Sequence, residues 1–296
     1  NWHLYQTELA TGATRDLTPA PGAQAQIVAT EPRFPDELLV ALNDRDPRAH
    51  DVYRVSLRDG SRRLEATNPG DIIGWLADLD FKVGAAKAIR PDGGSILRLR
   101  QGEGWRDFLS CGPDDQIGVH GFAPDRKHIY VESTLDRDTT ALLEMSLDGK
   151  SVKTLAEDED SDLAGVLVHP RDYHVEAAAF EADRVRWQVL DPGLEADFKA
   201  FESLDGDVTI VSRDDADAVW YLLVNRPDRA PSFWRWDRKA LKAKFLFATR
   251  PKLDGYDLAP MTPVSFAARD GLKVRAYLTV PVGRPTRGLP LVVLVH

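Results

Sequence analysis

Cysteine is almost missing from this sequence. Cys111 is the only one in 296 residues, which excludes an internal disulfide framework and any CxxC metal or redox site. With no His or Asn motif framing it, Cys111 reads as a buried thiol and not as a nucleophile. No apolar run approaches the roughly 20 residues of a membrane-spanning helix, so no such span is expected. The opening NWHLYQTELATG lacks the basic, apolar and small-residue order of a signal peptide. Positive charge is in deficit, with 38 Lys and Arg against 47 Asp and Glu, a net charge of −9. No basic stripe offsets that sign, and phosphates would be repelled, so no nucleic-acid partner is expected.

What the sequence does hold is a repeat. LYQTELATGATRDLT, VYRVSLRDGSRRLEA and LLEMSLDGKSVKTLA share one pattern: alternating apolar residues, a glycine turn at Gly12, Gly60 or Gly149, and a second alternating run. Each predicts a β-hairpin. Weaker copies surround Leu97, Trp187 and Trp234. The marker positions 5, 53, 97, 143, 187 and 234 are 48, 44, 46, 44 and 47 residues apart. A second series interleaves with the first, in QIVATEP, IIGWLADLD, GVHGFAPD, GVLVHPRD and VTIVSRDD. Each of these closes on an acidic or proline turn and is followed by another apolar run.

Four strands in each period of about 45 residues is the pattern of a β-propeller blade. One such sheet has two faces to bury and does so by stacking on its neighbours. Trp75, Trp105, Trp187, Trp220, Trp234 and Trp236 are expected to serve that packing. A β-sandwich would not hold a fixed period over five cycles. The expected fold is therefore all-β: five full blades after a half blade, out of a seven-bladed ring. The half blade suggests that the sequence enters in mid-blade, since an open sheet edge is otherwise avoided.

After residue 260 the period stops. PVSFAARDG and LKVRAYLTVP predict an antiparallel hairpin with an Asp-Gly turn. VGRPTRGLP follows as a loop, and Leu289 to Val295 reads as a strand buried on both faces of a parallel sheet. The expected domains are thus a propeller over 1–260 and the first strands of an α/β-hydrolase domain over 261–296, both continuing beyond the sequence.

VSFAARDGLKVRAYLTVP followed by LPLVVLVH resembles the junction between propeller and catalytic domain in the prolyl oligopeptidase family of serine peptidases. NWHLYQTELATGATRDLTP, LNDRDPRAHDVYRVSL, GFAPDRKHIYVESTLDRDT and RPKLDGYDLAPM resemble the propeller of the same group, including bacterial acylaminoacyl- and dipeptidyl-aminopeptidase-like members. The resemblance implies hydrolysis of short peptides through an acyl-enzyme at serine, with the propeller limiting access. It implies no metal or organic cofactor. The partners it implies are a short peptide substrate and the protein's own C-terminal α/β-hydrolase domain.

A hydrolase of that type needs a serine on a G-x-S-x-G turn, with an acid and a histidine later in the chain. No G-x-S-x-G occurs; DGGSIL at Ser95 has the wrong glycine spacing. In the family the triad follows a Gly-Gly-Pro stretch after the position of His296, so no catalytic residue is expected within residues 1–296. His296 itself is expected to play a structural role at a strand end. His169 and His174 stand five apart in HPRDYH with no companion carboxylate at ligand spacing, so no metal site is expected there. AEDEDSD, residues 156 to 162, lacks the glycine and spacing of a calcium loop and reads as a solvated connection between blades. DRDPR and DRDT read as charged loops at blade edges. RPDGG reads as a turn.

Two other readings explain the repeat. A non-catalytic propeller of WD40 or TolB type would bind a protein or ligand, but leaves the last 35 or so residues unexplained. A propeller with its own lactonase or glycosidase site would need convergent carboxylates or metal ligands at its centre, and no such set stands out.

Overall fold

The computed structural model describes residues 2–295. It opens with a hairpin, β1 (Tyr5–Thr7) and β2 (Thr14–Asp16). Blade one is β3 (Ala25–Ala29), β4 (Glu37–Asp46), β5 (Ala49–Ser56) and β6 (Arg62–Ala66). Blade two is β7 (Ile72–Ala77), β8 (Val83–Ile89), β9 (Ser95–Gln101) and β10 (Gly104–Cys111). Blade three is β11 (Ile117–Phe122), β12 (His128–Ser133), β13 (Ala141–Ser146) and β14 (Val152–Ala156). Blade four is β15 (Leu163–Val168), β16 (Val175–Glu181) and β17 (Val185–Val189), followed by helix α1 (Glu195–Phe201). Blade five is β18 (Asp207–Arg213), β19 (Val219–Asn225), β20 (Ser232–Asp237) and β21 (Lys242–Ala248). A last hairpin joins β22 (Met261–Ala267) to β23 (Lys273–Thr279).

Every sheet is antiparallel, with its strands paired in chain order, the meander of a propeller blade. Tyr53, Leu97, Leu143, Trp187 and Trp234 fall on the third strand of the five successive blades, so the sequence period is the blade period. Blade four departs from the pattern. Its sheet has three strands, and α1 follows where a fourth strand was expected. Pro192 supplies no ladder N–H and Asp191 accepts the Gly193 N–H at 2.8 Å, starting a helical turn. Leu194, Phe198 and Phe201 then repeat at helical spacing.

The chain forms two compact units, residues 1–180 and 181–296. In the first, the core lies between neighbouring blades. Leu17 and Ala23 pack with Val40, Leu42 and Val55 of blade one. Leu39 and Val52 of blade one meet Phe81 and Val83 of blade two. Leu97 and Leu99 of blade two meet Ile129, Leu143 and Met145 of blade three. The second strands are buried on both faces, so β8 carries Ala85, Ala86 and Ala88, whose small side chains let neighbours approach closely. Each larger aliphatic side chain removed from water here contributes about 1.5–3 kcal/mol. Cys111 is buried, as expected, and its thiol donates to the Asp115 carbonyl at 3.4 Å.

In the second unit α1 is tied to blade five. Phe201 meets Trp236 edge-on at 4.9 Å between ring centroids. Asp197, on the first turn of α1, accepts the Trp236 indole N–H at 2.7 Å and Arg238 Nε and Nη2 at 3.1 and 3.0 Å. The guanidinium groups of Arg213 and Arg238 each lie 4.5 Å from the Trp220 ring centroid.

The β22–β23 hairpin turns through Asp270 and Gly271, whose φ of 88° suits glycine. Among the described residues it pairs with no other strand. The expected buried strand over Leu289 to Val295 is not formed: residues 290–295 carry no secondary structure, and Leu291 to Val295 are exposed. A parallel strand takes all its ladder bonds from neighbours, and no described residue supplies one.

Candidate functional site

The turn between the first and second strands recurs in four blades. Asp78 to Phe81, Ala123 to Arg126 and Asp214 to Asp217 each close with an N–H of the last residue on the carbonyl of the first, at 3.1, 2.9 and 3.0 Å. In blade four the turn is one residue longer, and the Tyr173 N–H reaches the His169 carbonyl at 2.9 Å. Phe81, Arg126, Tyr173 and Asp217 all have φ between 51° and 60°. Left-handed backbone costs a residue with a Cβ about 1–2 kcal/mol, which burial of Phe81 and the hydrogen bond from Tyr173 to Glu31 offset at two of the four positions.

Tyr173 is the clearest case. Its hydroxyl donates to Glu31 Oε2 at 2.5 Å, across 142 positions of the sequence. Arg33 donates from Nε to Glu31 Oε1 at 2.8 Å and from Nη2 to the Leu79 carbonyl. Its guanidinium also lies 5.9 Å from the Tyr173 ring centroid. The turns of blades one, two and four are thereby joined around one buried carboxylate, with Glu31 only 9% exposed. Burial alone would raise the Glu31 carboxyl, but hydrogen bonds from Arg33 and Tyr173 outweigh it and hold the group below its ordinary value. Arg33 is pushed up, foremost by its bond to Glu31. Burial and the bond to Glu31 push the Tyr173 hydroxyl up. The three groups form a charged brace between turns.

Next to it, His169 and His174 flank the blade-four turn with stacked rings, 5.3 Å between centroids. The structure adds what the spacing concealed: Asp172 is a companion carboxylate, and one ligand atom from each of the three lies within 4.8 Å of the others. His169 Nδ1 accepts the N–H groups of Arg171 and Asp172 at 3.3 and 2.9 Å, so an ion would have to meet this residue at Nε2. The turn geometry brought Asp172 in, and no helical or strand spacing would have found it.

The remaining candidates have structural surroundings. Ser95 begins β9 and does not sit in the turn before it. Asp162 accepts the N–H and hydroxyl of Thr140 at 2.7 and 2.9 Å, and Asp158 accepts the Ser161 hydroxyl at 3.0 Å, so the acidic run is stitched to its own blade. In DRDPR, Arg45 pairs with the buried Asp51; in DRDT, Arg137 pairs with Glu157. Trp75 and Trp105 meet at 5.8 Å, and Trp220 and Trp236 are fully buried, as the packing role requires. His296 lies outside the described residues.

No protein-family model matches the chain. A dipeptidyl aminopeptidase BIII of Pseudoxanthomonas mexicana is 34% identical over 307 aligned residues, covering 100% of this chain and 45% of that protein. A dipeptidyl peptidase family member 6 of Caenorhabditis elegans is 24% identical, over 84% of this chain and 36% of its own length. The chain thus spans less than half the length of either curated relative. Among solved structures, a puromycin-hydrolysing peptidase of Mycobacterium tuberculosis superposes with a TM-score of 0.63 at 15% identity, over 95% of this chain and 48% of that one. At that identity the likeness speaks for the fold, and the fold is the propeller the blades describe.

Proposed function

Because the chain belongs to the prolyl oligopeptidase family of peptidases, we propose that it is the gating, substrate-selecting propeller of a serine peptidase that cleaves short peptides through an acyl-enzyme. The carrying observation is the 34% identity to a dipeptidyl aminopeptidase along the whole chain, over less than half of that protein. The absence of G-x-S-x-G from residues 1–296 is consistent with a catalytic triad located elsewhere in the protein. The β22–β23 hairpin, which breaks the blade pattern, is the expected lead into the hydrolase domain.

The brace supports a gating role. Glu31, Arg33 and Tyr173 hold the turns of three blades together with charged hydrogen bonds, each stronger than a neutral one. Turns so joined stay closed together, and a rigid screen admits extended peptides while refusing folded chains. The test is hydrolysis by the whole protein of fluorogenic dipeptidyl amides against hydrolysis of a folded protein substrate. Turnover of the dipeptidyl amides, with the folded protein left intact, is the expected result. Turnover of neither, or of both alike, would overturn the proposal.

A further inference from the structure

Asp-Gly occurs six times in the chain, at Asp59, Asp92, Asp148, Asp205, Asp254 and Asp270. The pair carries a latent reaction, because glycine has no side chain to shield its backbone nitrogen from the neighbouring carboxyl. In a folded chain two kinds of contact oppose it. One is a hydrogen bond that occupies the glycine N–H. The other is any bond that favours the ionised carboxylate, a poor electrophile.

Five of the six pairs are opposed in this way. The N–H groups of Gly60, Gly93, Gly149 and Gly271 donate to the carbonyls of Ser56, Arg90, Ser146 and Ala268, at 2.9, 3.0, 2.8 and 3.0 Å. Their aspartates are engaged as well. Asp59 accepts the Ser61 N–H and hydroxyl at 3.0 and 2.7 Å, and Asp148 accepts the Ser146 hydroxyl and the Lys150 N–H at 2.7 and 3.1 Å. Those bonds bring both carboxyls down to about 2. Asp92 pairs with Arg90 at 2.8 Å, and Asp270 accepts the Leu272 N–H at 3.1 Å. Asp205 is paired with Arg226.

Asp254 differs on both counts. Among the described residues its carboxylate meets no hydrogen-bond donor or cation, and the Gly255 N–H meets no acceptor. Both residues are exposed, in the connection between β21 and β22. Gly255 has a φ of 97°, and no atom lies within 4 Å of where its Cβ would stand. The turn is held by the Asp254 N–H on the Pro251 carbonyl and the Tyr256 N–H on the Leu253 carbonyl, each at 3.1 Å. Neither bond uses the Asp254 carboxyl or the Gly255 nitrogen, and an exposed turn this lightly tied has the freedom to bring the two together.

We propose that Asp254–Gly255 is a modification site, where the backbone converts spontaneously to an isoaspartyl linkage. The Gly255 nitrogen attacks Cγ of the protonated Asp254 carboxyl and an N–Cγ bond forms. The carboxyl hydroxyl leaves with the amide proton as water, closing a five-membered imide. Water then opens the ring at either carbonyl. One opening restores aspartate. The other routes the main chain through Cβ and Cγ and leaves the former backbone carboxyl as the side chain. Solvent is the only co-reactant. The β-linked form adds a methylene to the backbone between blade five and the β22–β23 hairpin. The same turn lines a cleft of about 500 Å³ with Asp228, Arg229 and Val282, so the change also reshapes that cleft. The site does not rest on the peptidase proposal.

The test is to age the full chain at neutral pH in water enriched in heavy oxygen, digest it in ordinary water, and map the peptides by mass spectrometry. Each imide that reopens takes one oxygen from the solvent. In the folded chain the peptide holding Asp254 is expected to gain heavy oxygen and to yield an isoaspartyl form, while the peptides of the other five Asp-Gly pairs stay unlabelled. In urea, where the turns are lost, all six are expected to label. D254E, which would have to close a larger ring, should lose the label at that position. Three results would each overturn the proposal: another Asp-Gly peptide labelling as fast as that of Asp254 in the folded chain, no label at Asp254 while the chain in urea takes it up, or a preference for Asp254 that persists in urea.

Discussion

Replacing Asp197 by alanine tests how α1 is held on blade five. The carboxylate is 3% exposed and accepts three hydrogen bonds, one from Trp236 Nε1 at 2.7 Å and two from Arg238 at 3.1 and 3.0 Å. Its removal strands the indole N–H of a fully buried tryptophan, which costs about 1–3 kcal/mol. Breaking a buried ion pair from one side costs about 3–5 kcal/mol when the other charge is left alone. Here Arg238 is not left alone, because it keeps Asp217 and the carbonyls of Gly193 and Asp217. The total for D197A should therefore fall at about 2–4 kcal/mol. D197N retains an acceptor for Trp236 and loses only the charge, so it should cost about half as much. Urea unfolding followed by tryptophan fluorescence measures both. In a W236F background, D197A should cost about 1 kcal/mol less, since the indole donor is already gone. A loss under about 0.5 kcal/mol for D197A, or equal losses for the alanine and asparagine variants, would refute this account of the helix.

The brace gives a pH signature. Glu31 is held below its ordinary 4.5, so its contribution is intact above that value and is lost as the pH falls through the lowered folded value. The stability difference between the unaltered chain and E31Q should accordingly shrink as the pH falls below the ordinary carboxylate value of 4.5, and a difference that stays flat would contradict the assignment. Y173F removes the donor to Glu31 Oε2 and should cost about 1–2 kcal/mol in urea unfolding at neutral pH. G84A places a methyl group 2.7 Å from the Asp78 Cβ and 2.8 Å from the Phe122 ring. It should destabilise by about 1–3 kcal/mol through overpacking, whereas G104A, whose nearest contact is 3.8 Å away, should not show that clash.

The blades were legible because one period governs them. Tyr53, Leu97 and Leu143 occupy equivalent third strands, and alternation along a strand is a strong signal wherever one face is packed more deeply than the other. The helix after blade four was not, because the period calls for a strand where Asp-Pro-Gly and the Leu194, Phe198, Phe201 spacing start a helix. Local turn chemistry prevailed over the repeat. The brace was legible only in outline. The acidic and proline turns ending the first strands were visible as a series, but nothing in the sequence shows that Tyr173 and Glu31 meet, since contacts so distant along the chain come from the stacking of blades. The left-handed turn positions carry Phe81, Arg126, Tyr173 and Asp217 instead of glycine, which removes the usual marker. Leu289 to Val295 has the composition of a buried strand, yet composition does not supply the neighbours that make one.

The most direct test of the peptidase account is to label the protein that contains this chain with a fluorophosphonate, which reacts with activated serines, and to locate the modified peptide by mass spectrometry. The account predicts one labelled serine, in a peptide outside residues 1–296, with loss of dipeptidyl amide hydrolysis in proportion to labelling. Hydrolysis that survives complete labelling, or a labelled serine within the blades, would contradict it.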